Sequence, residues 1–61
     1  MITHKQYQDF TNEYFAYNIV QFQRFGQAFM NHFGINEPNP LLFYETRIKK
    51  AMKIIEENYV K

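Results

Sequence analysis

The chain contains two stretches of helical periodicity, separated by a segment that holds both of its prolines. Thr3 and Gln6 have the spacing of a capping box, in which each side chain accepts from the other residue's backbone N–H. From there to Phe33 apolar residues recur at helical spacing, so the pattern predicts a long first helix over about 3–33. Gly34 is expected to end it in the left-handed conformation. Such a helix would be about 44 Å long.

A loop over 34–45 is predicted next, because Pro38 and Pro40 cannot belong to regular helix. We favour an extended hydrophobic plug for its apolar residues 41–44. The alternative is a second helix that starts here, with Asn39 as N-cap and Pro40 at the first helical position.

The second helix is predicted over about 46–60, shorter than the first and antiparallel to it, with Thr46 as its N-cap. Its apolar residues form one stripe of roughly 100°, which a single neighbouring helix can cover. The stripe consists of Ile48, Ala51, Met52, Ile55 and Tyr59. The fold class is therefore expected to be all-α, with a single helical-hairpin domain over 1–61.

The first helix offers more apolar surface than the second can cover, because its apolar residues spread over roughly 200°. A second helix of about 21 Å would also stop near Asn18. We therefore predict that two copies pair into a four-helix dimer, the commonest closed symmetry. A break near Thr11 and Asn12 that gives a three-helix unit, or a face that awaits another protein, would also cover the surplus. The predicted oligomer or partner interface comprises Tyr7, Phe10, Tyr14, Phe15, Tyr17, Asn18, Phe22 and Phe25.

Asn18 falls near the centre of this apolar arc. A buried amide is best known for fixing register and oligomeric state. It is expected either to pair with itself across a two-fold axis, to bond loop backbone, or to lie at a wet rim.

A polar cluster follows on the same predicted helix, formed by Arg24, Gly26, Gln27 and Asn31. Glycine inside a helix costs about 1 kcal/mol against alanine, which indicates a close approach, here by the ring of Phe43 or Tyr44. Gln27 and Asn31 lie one turn apart on the opposite side. They are expected to support the proline-containing loop, or else to bond a partner's backbone.

Composition narrows the function classes. The chain has no cysteine, which excludes disulfides and thiolate metal sites, and its net charge of +1 gives no strong field toward nucleic acid. It shows no secretory leader pattern and no apolar run of membrane-spanning length. We therefore expect a soluble protein of the cytoplasm that does not bind membranes.

Catalysis has little support. Cysteine and serine nucleophiles are absent, and His4 and His32 would lie near opposite ends of one helix. Asp9 and Glu13 form an acidic i,i+4 pair without the Glu-x-x-His spacing of di-metal bundles. We expect no enzyme activity, no metal and no cofactor.

Basic residues gather at the start of the second helix, where the helix dipole disfavours them. They are Arg47, Lys49, Lys50 and Lys53. This arrangement is compatible with contacts to phosphates or to an acidic partner, but an ordinary solvated face is the favoured interpretation.

The segment Arg24–Phe33, followed by Leu42–Glu45 and Ala51–Ile55, resembles a pattern in small uncharacterised bacteriophage proteins. Those proteins share an Arg-x-Gly-Gln core, a later Asn, a Phe-Tyr step and a closing helix. The resemblance implies a helical hairpin and supplies no activity.

Together these features favour a non-enzymatic, phage-encoded protein that binds and modulates or inhibits a bacterial host protein through its aromatic face. One alternative is a nucleic-acid-associated accessory factor that uses the basic start of the second helix. Another is a structural or assembly component of the phage.

Overall fold

The computed structural model describes residues 2–60, except the side chain of Val20. Its helices are α1 (His4–Ala16), α2 (Phe25–His32), α3 (Pro40–Phe43) and α4 (Ile48–Asn58), with a 3-10 turn at Ile19–Gln21. The all-α prediction is confirmed for the described residues. The two-helix hairpin is wrong, and the long helix over 3–33 does not exist. The longest dimension of the fold is only 25 Å.

α1 begins as the sequence predicts. The Thr3 hydroxyl accepts from the Gln6 backbone N–H at 3.1 Å, and the Gln6 side chain accepts from the Thr3 N–H at 2.9 Å. The helix ends at Ala16, since Asn18 takes the left-handed conformation at φ 60°. Asparagine tolerates that conformation better than other non-glycine residues. Arg24 is extended and starts α2 as its N-cap.

Aromatic packing explains why a break is favoured over one long helix. In a continuous helix Phe10 and Phe25 would lie about 22 Å apart along the axis. In the structure their ring centroids are 5.3 Å apart, because α2 runs back along α1. Burying each such ring stabilises the fold by a few kcal/mol. Together the rings contribute more free energy than the few backbone hydrogen bonds that are lost at the break.

The alternative of a break near Thr11 and Asn12 is wrong in its position, because the chain breaks after Ala16. Both residues lie within α1, and the Thr11 hydroxyl donates to the Tyr7 carbonyl one turn earlier at 2.9 Å. Thr11 therefore satisfies its hydroxyl inside the helix and caps nothing.

α2 ends at His32, and Gly34 follows its C-cap Phe33 in the left-handed conformation that the sequence predicts. Gly34 has φ +62°, and the Ile35 N–H bonds back to the Met30 carbonyl at 2.9 Å. The left-handed glycine turns the chain out of the helix into the loop that holds the prolines.

The extended plug is wrong, because 40–43 forms the one-turn helix α3. The Asn39 carboxamide oxygen accepts from the Leu42 N–H at 3.3 Å, with Pro40 at the first helical position, as the alternative start requires. Leu42 is fully buried, whereas Leu41 remains 79% exposed.

α4 is shorter than predicted, and Thr46 is not its N-cap. Arg47 takes that position, and the Glu45 carboxylate accepts from the Arg47 backbone N–H at 3.1 Å. The predicted stripe does face the core: Ala51 and Ile55 are fully buried. Ile2 pairs with the end of the chain, since its N–H donates to the Tyr59 carbonyl at 3.0 Å. Among the described helices, none has the length and apolarity needed to cross a membrane.

Candidate interaction surface

Four of the predicted interface residues form the core of the monomer. Tyr7, Phe10, Tyr14 and Phe25 are each at most 5% exposed. The Tyr14 and Phe25 rings are 5.0 Å apart and nearly perpendicular, and the Phe10 ring contacts those of Tyr14, Phe25 and Phe29. The expected pairing of first helices into a four-helix dimer relied on these rings being exposed. The fold covers them with α2 and so removes that basis.

Three other predicted interface residues are exposed near the connection between α1 and α2: Phe15 in the last turn of α1, and Tyr17 and Phe22 in the connection itself. Tyr17 is 74% exposed, Phe22 is 80% exposed and Phe15 is 49% exposed. Exposed large apolar side chains that are grouped mark interaction sites, and these three lie within eight consecutive residues. We call Phe15, Tyr17 and Phe22 the aromatic turn.

Hydrogen bonds and ring contacts hold the aromatic turn against the core. The Tyr14 hydroxyl donates to the Gln23 carbonyl at 2.7 Å, which joins the last part of α1 to the start of α2. The Asn31 amide donates to the Gln23 side-chain oxygen at 3.4 Å. The Phe15 ring lies 5.2 Å from that of Tyr14 and is stacked on Phe25 at 6.4 Å. The connection is therefore fixed at both of its ends, by Phe15 at the start and by Gln23 at the finish.

Asn18 does not lie in a buried apolar seam. Its side chain is exposed and makes no capping bond to the 3-10 turn that it precedes. Placement at the centre of an apolar arc assumed an unbroken helix, and the residue instead serves the break through its backbone conformation.

The polar cluster divides between two parts of the fold. A Cβ on Gly26 would lie 2.2 Å from the Leu42 carbonyl oxygen, so the close approach comes from α3 through Leu42 and not from the rings of Phe43 or Tyr44. The Asn31 side chain donates to Gln23, which follows Phe22, and not to the proline-containing loop as expected. Gln27 is half-exposed beside Arg24.

Charged residues precede and follow the aromatic turn in the sequence. Residues 14–23 carry no formal charge, while Glu13 precedes them and Arg24 follows. Glu13 lines an open cleft of about 260 Å³ together with Ile19 and Gln23. Arg24 lines a neighbouring hollow together with Phe22, and Gln23 belongs to both. Neither charged residue takes part in an ion pair within residues 2–60.

The basic residues at the start of α4 are all exposed: Arg47, Lys49, Lys50 and Lys53. Glu45 lies beside them, 3.3 Å from the Arg47 guanidinium. The bond from the Arg47 backbone N–H, and then its side chain and Lys50, hold the pKa of Glu45 below its usual value. One carboxylate thus offsets part of this basic cluster.

The described residues contain no cluster of three His, Asp or Glu side chains that could hold a metal ion. His4 is exposed at the start of α1 and His32 at the end of α2. Asp9 pairs with Lys5 at 3.4 Å, as an ordinary surface ion pair.

Two tyrosines of the core have altered acidity. Burial, and then the charge and hydrogen bond of Glu56, raise the pKa of Tyr7 to about 12, with its hydroxyl 3.3 Å from that carboxylate. Burial also raises the pKa of Tyr14. Both hydroxyls therefore remain donors at neutral pH, and they bind structural acceptors.

A second exposed apolar pair was missed from the sequence. Leu41 is 79% exposed and Tyr44 is 66% exposed, both at α3. The Asn39-Pro40 start signal was the available clue, because a one-turn helix can bury only one side of this segment, here Leu42.

In sequence and structure comparisons, the chain matches no protein-family model, no curated protein and no solved structure. Its function must therefore be argued from the arrangement of its own residues.

Proposed function

We propose that this protein is a non-enzymatic interaction module that binds another protein through the aromatic turn. The observation that carries the proposal is the exposure of Tyr17 and Phe22, at 74% and 80%, on a turn anchored by the bond from Tyr14 to Gln23. Aromatic side chains supply large contact areas at low entropic cost, and they are enriched in the energetic centres of protein interfaces. An anchored turn also loses little freedom on binding.

The partner that we propose is a bacterial host protein, in line with the resemblance to small phage proteins. The mechanism would be occlusion: the rings of Tyr17 and Phe22 fill an apolar groove of the host protein and block or alter its normal contacts. A chain of this kind would act in the host cytoplasm.

Site-specific photo-crosslinking in host cells tests the proposal. A photoreactive residue replaces Phe22 in one variant and Leu41 in the other, because these side chains are equally exposed on different parts of the fold. We expect one defined host protein to be crosslinked from position 22 and not from position 41. The affinity of this chain for that host protein, measured with purified proteins, should fall at least about tenfold in Phe22→Ala, because an interface anchor is lost.

Crosslinking of the same protein from both positions, or binding that Phe22→Ala leaves unchanged, would contradict the proposal. Leu41→Ala is the matched control and should bind like the wild type.

A second candidate function is binding of nucleic acid, favoured by the exposure of Arg47, Lys49 and Lys50 at the start of α4. Contacts to phosphates would weaken with salt, with a slope set by their number. A gel shift at low salt that is lost in Lys49→Glu/Lys50→Glu would support this candidate. No retardation at low salt would contradict it.

A further inference from the structure

The cleft between α1 and α2 combines an apolar floor with the carboxylate of Glu13. We propose that this cleft binds an arginine side chain of the partner protein, with the guanidinium group at Glu13. The inference rests on the proposed function, since it names a residue that the partner must present. It concerns a part of the surface other than the three rings of the aromatic turn.

Helical spacing places the walls of the cleft. Phe10 and Glu13 are one turn apart on α1 and therefore share one of its faces. Ala28 lies three residues before Asn31 and four before His32, so these residues share one face of α2. All five line the same cleft, which is thus built by two helices that the core holds together.

The floor of the cleft is apolar and its rim is polar. Phe10 and Ala28 are buried, at 2% and 5% exposure, and Ile19 is half-buried. The rings of Phe10 and His32 lie 5.2 Å apart, with His32 exposed to solvent. This construction suits a side chain with an apolar stem and a charged end.

The charge of the cleft determines the sign of its ligand. With histidine neutral, Glu13 is the one formally charged residue among the described residues that line it. Glu13 is exposed and takes part in no ion pair within residues 2–60. The Asn31 amide nitrogen donates to Gln23, which leaves the Asn31 carboxamide oxygen as a further acceptor. A cationic donor therefore complements this site.

Arginine fits these features better than lysine. Its guanidinium group presents five donors in a planar fork that matches a carboxylate, and it is more weakly hydrated than an ammonium group. Its flat face also packs on aromatic rings, which the cleft supplies at Phe10 and His32. The volume of about 260 Å³ lies below the roughly 300–1,000 Å³ of sites for drug-sized ligands, so it suits a single side chain.

One partner can use both the cleft and the aromatic turn. Gln23 lines the cleft and also lines the hollow that contains Phe22. An apolar group bound at Phe22 and an arginine bound at Glu13 would therefore contact neighbouring parts of the surface. The ion pair would add selectivity for basic partners to the contact area of the rings.

Titration of the isolated chain with N-acetyl-arginine methylamide at constant ionic strength tests the site, with ¹H–¹⁵N correlation spectra as the readout. We expect the amide signals of residues that line the cleft to shift, with a dissociation constant of about 1–10 mM, as suits a single partly exposed ion pair. The corresponding citrulline derivative has nearly the same shape but no charge, and it should bind at least about fivefold more weakly. The lysine derivative should bind at least about twofold more weakly than the arginine derivative.

A matched pair of variants assigns the charge. Glu13→Gln keeps the size of the side chain and should weaken binding of the arginine derivative at least about fivefold. Glu57→Gln makes the same change at an exposed position of α4 and should bind like the wild type. The spectra of both variants also report whether each is folded, which we expect because both side chains are exposed.

Three results would overturn the inference: no shift of cleft signals up to about 50 mM ligand, equal binding of the arginine and citrulline derivatives, or unchanged binding in Glu13→Gln. Tighter binding of the lysine derivative would overturn the assignment to arginine. None of these results affects host-protein crosslinking from position 22. Failure of this inference is therefore distinguishable from failure of the proposed function.

Discussion

Aromatic residues on the two sides of the α1–α2 connection differ in their surroundings although they are close in sequence. Tyr14 is 1% exposed and its ring packs beside those of Phe10 and Phe25, whereas Tyr17, only three residues later, is 74% exposed. Both are tyrosines in a charge-poor stretch, so composition does not separate them. The difference arises at Ala16, where α1 ends. Tyr14 lies on the side of α1 that the returning α2 covers, whereas Tyr17 lies beyond the end of α1.

The position of a helix end therefore determines whether an aromatic residue is buried in the core or exposed to solvent. A ring inside the helix pair stabilises the fold, while a ring on the turn leaves folding almost unaffected and is available to a partner. Substitutions on either side of the break should therefore separate stability from association.

The largest effect is expected for Phe10→Ala. The Phe10 ring is 2% exposed and contacts the rings of Tyr14, Phe25 and Phe29, so its removal leaves a cavity at the centre of the core. We expect a loss of about 3–5 kcal/mol in the free energy of unfolding. In a small domain this loss approaches the whole stability. Urea denaturation followed by circular dichroism measures it, and a loss below about 1 kcal/mol would show that the ring is not central.

The next largest loss in the free energy of unfolding is expected for Gly26→Ala. Although alanine favours helix, its Cβ would lie 2.2 Å from the Leu42 carbonyl oxygen and 2.8 Å from the Leu42 Cδ1. Backbone must shift to relieve the first contact, so we expect a net loss of about 1–3 kcal/mol. Thermal denaturation checks this. An increase in the melting temperature would mean that α3 can move away from α2 at little cost.

Local signals in the sequence identified the start of α1 and the end of α2 better than the break between these two helices. The capping box of Thr3 and Gln6 and the left-handed Gly34 depend on neighbouring residues alone, and both are confirmed. The break at Asn18 was not recognised, because no glycine or proline marks it. It becomes favourable only when Phe10 can pack on Phe25, a contact between residues distant in sequence. Periodicity alone therefore predicted one helix.

The candidate site was predicted in part for the same reason. Phe15, Tyr17 and Phe22 were included among the interface residues, since apolar surplus is visible in composition and spacing. Which members of that set are buried depends on where the chain folds back. The close packing at Gly26 was anticipated, but its partner Leu42 could not be identified without the short helix α3.

A smaller effect is expected for Tyr14→Phe, which acts at the connection between the two groups of rings. It removes the hydroxyl that donates to the Gln23 carbonyl at 2.7 Å and keeps the buried ring. We expect a loss of about 0.5–1.5 kcal/mol in the free energy of unfolding. Hydrogen exchange should show faster opening at the aromatic turn than in α4. An unchanged stability together with unchanged exchange at residues 17–23 would mean that this bond does not hold the turn.

The smallest effect on stability is expected for Phe22→Ala, despite the size of the side chain removed. Phe22 is 80% exposed, so its truncation should change the free energy of unfolding by no more than about 0.5 kcal/mol in either direction. The same substitution should weaken association through the aromatic turn, because an anchor ring is lost from the contact. Leu41→Ala, at 79% exposure, provides the control and should alter neither quantity. Comparison of urea denaturation with sedimentation for both variants measures the two effects separately. A loss of several kcal/mol in Phe22→Ala would place this ring inside the fold, and the distinction between core and turn aromatics would then fail.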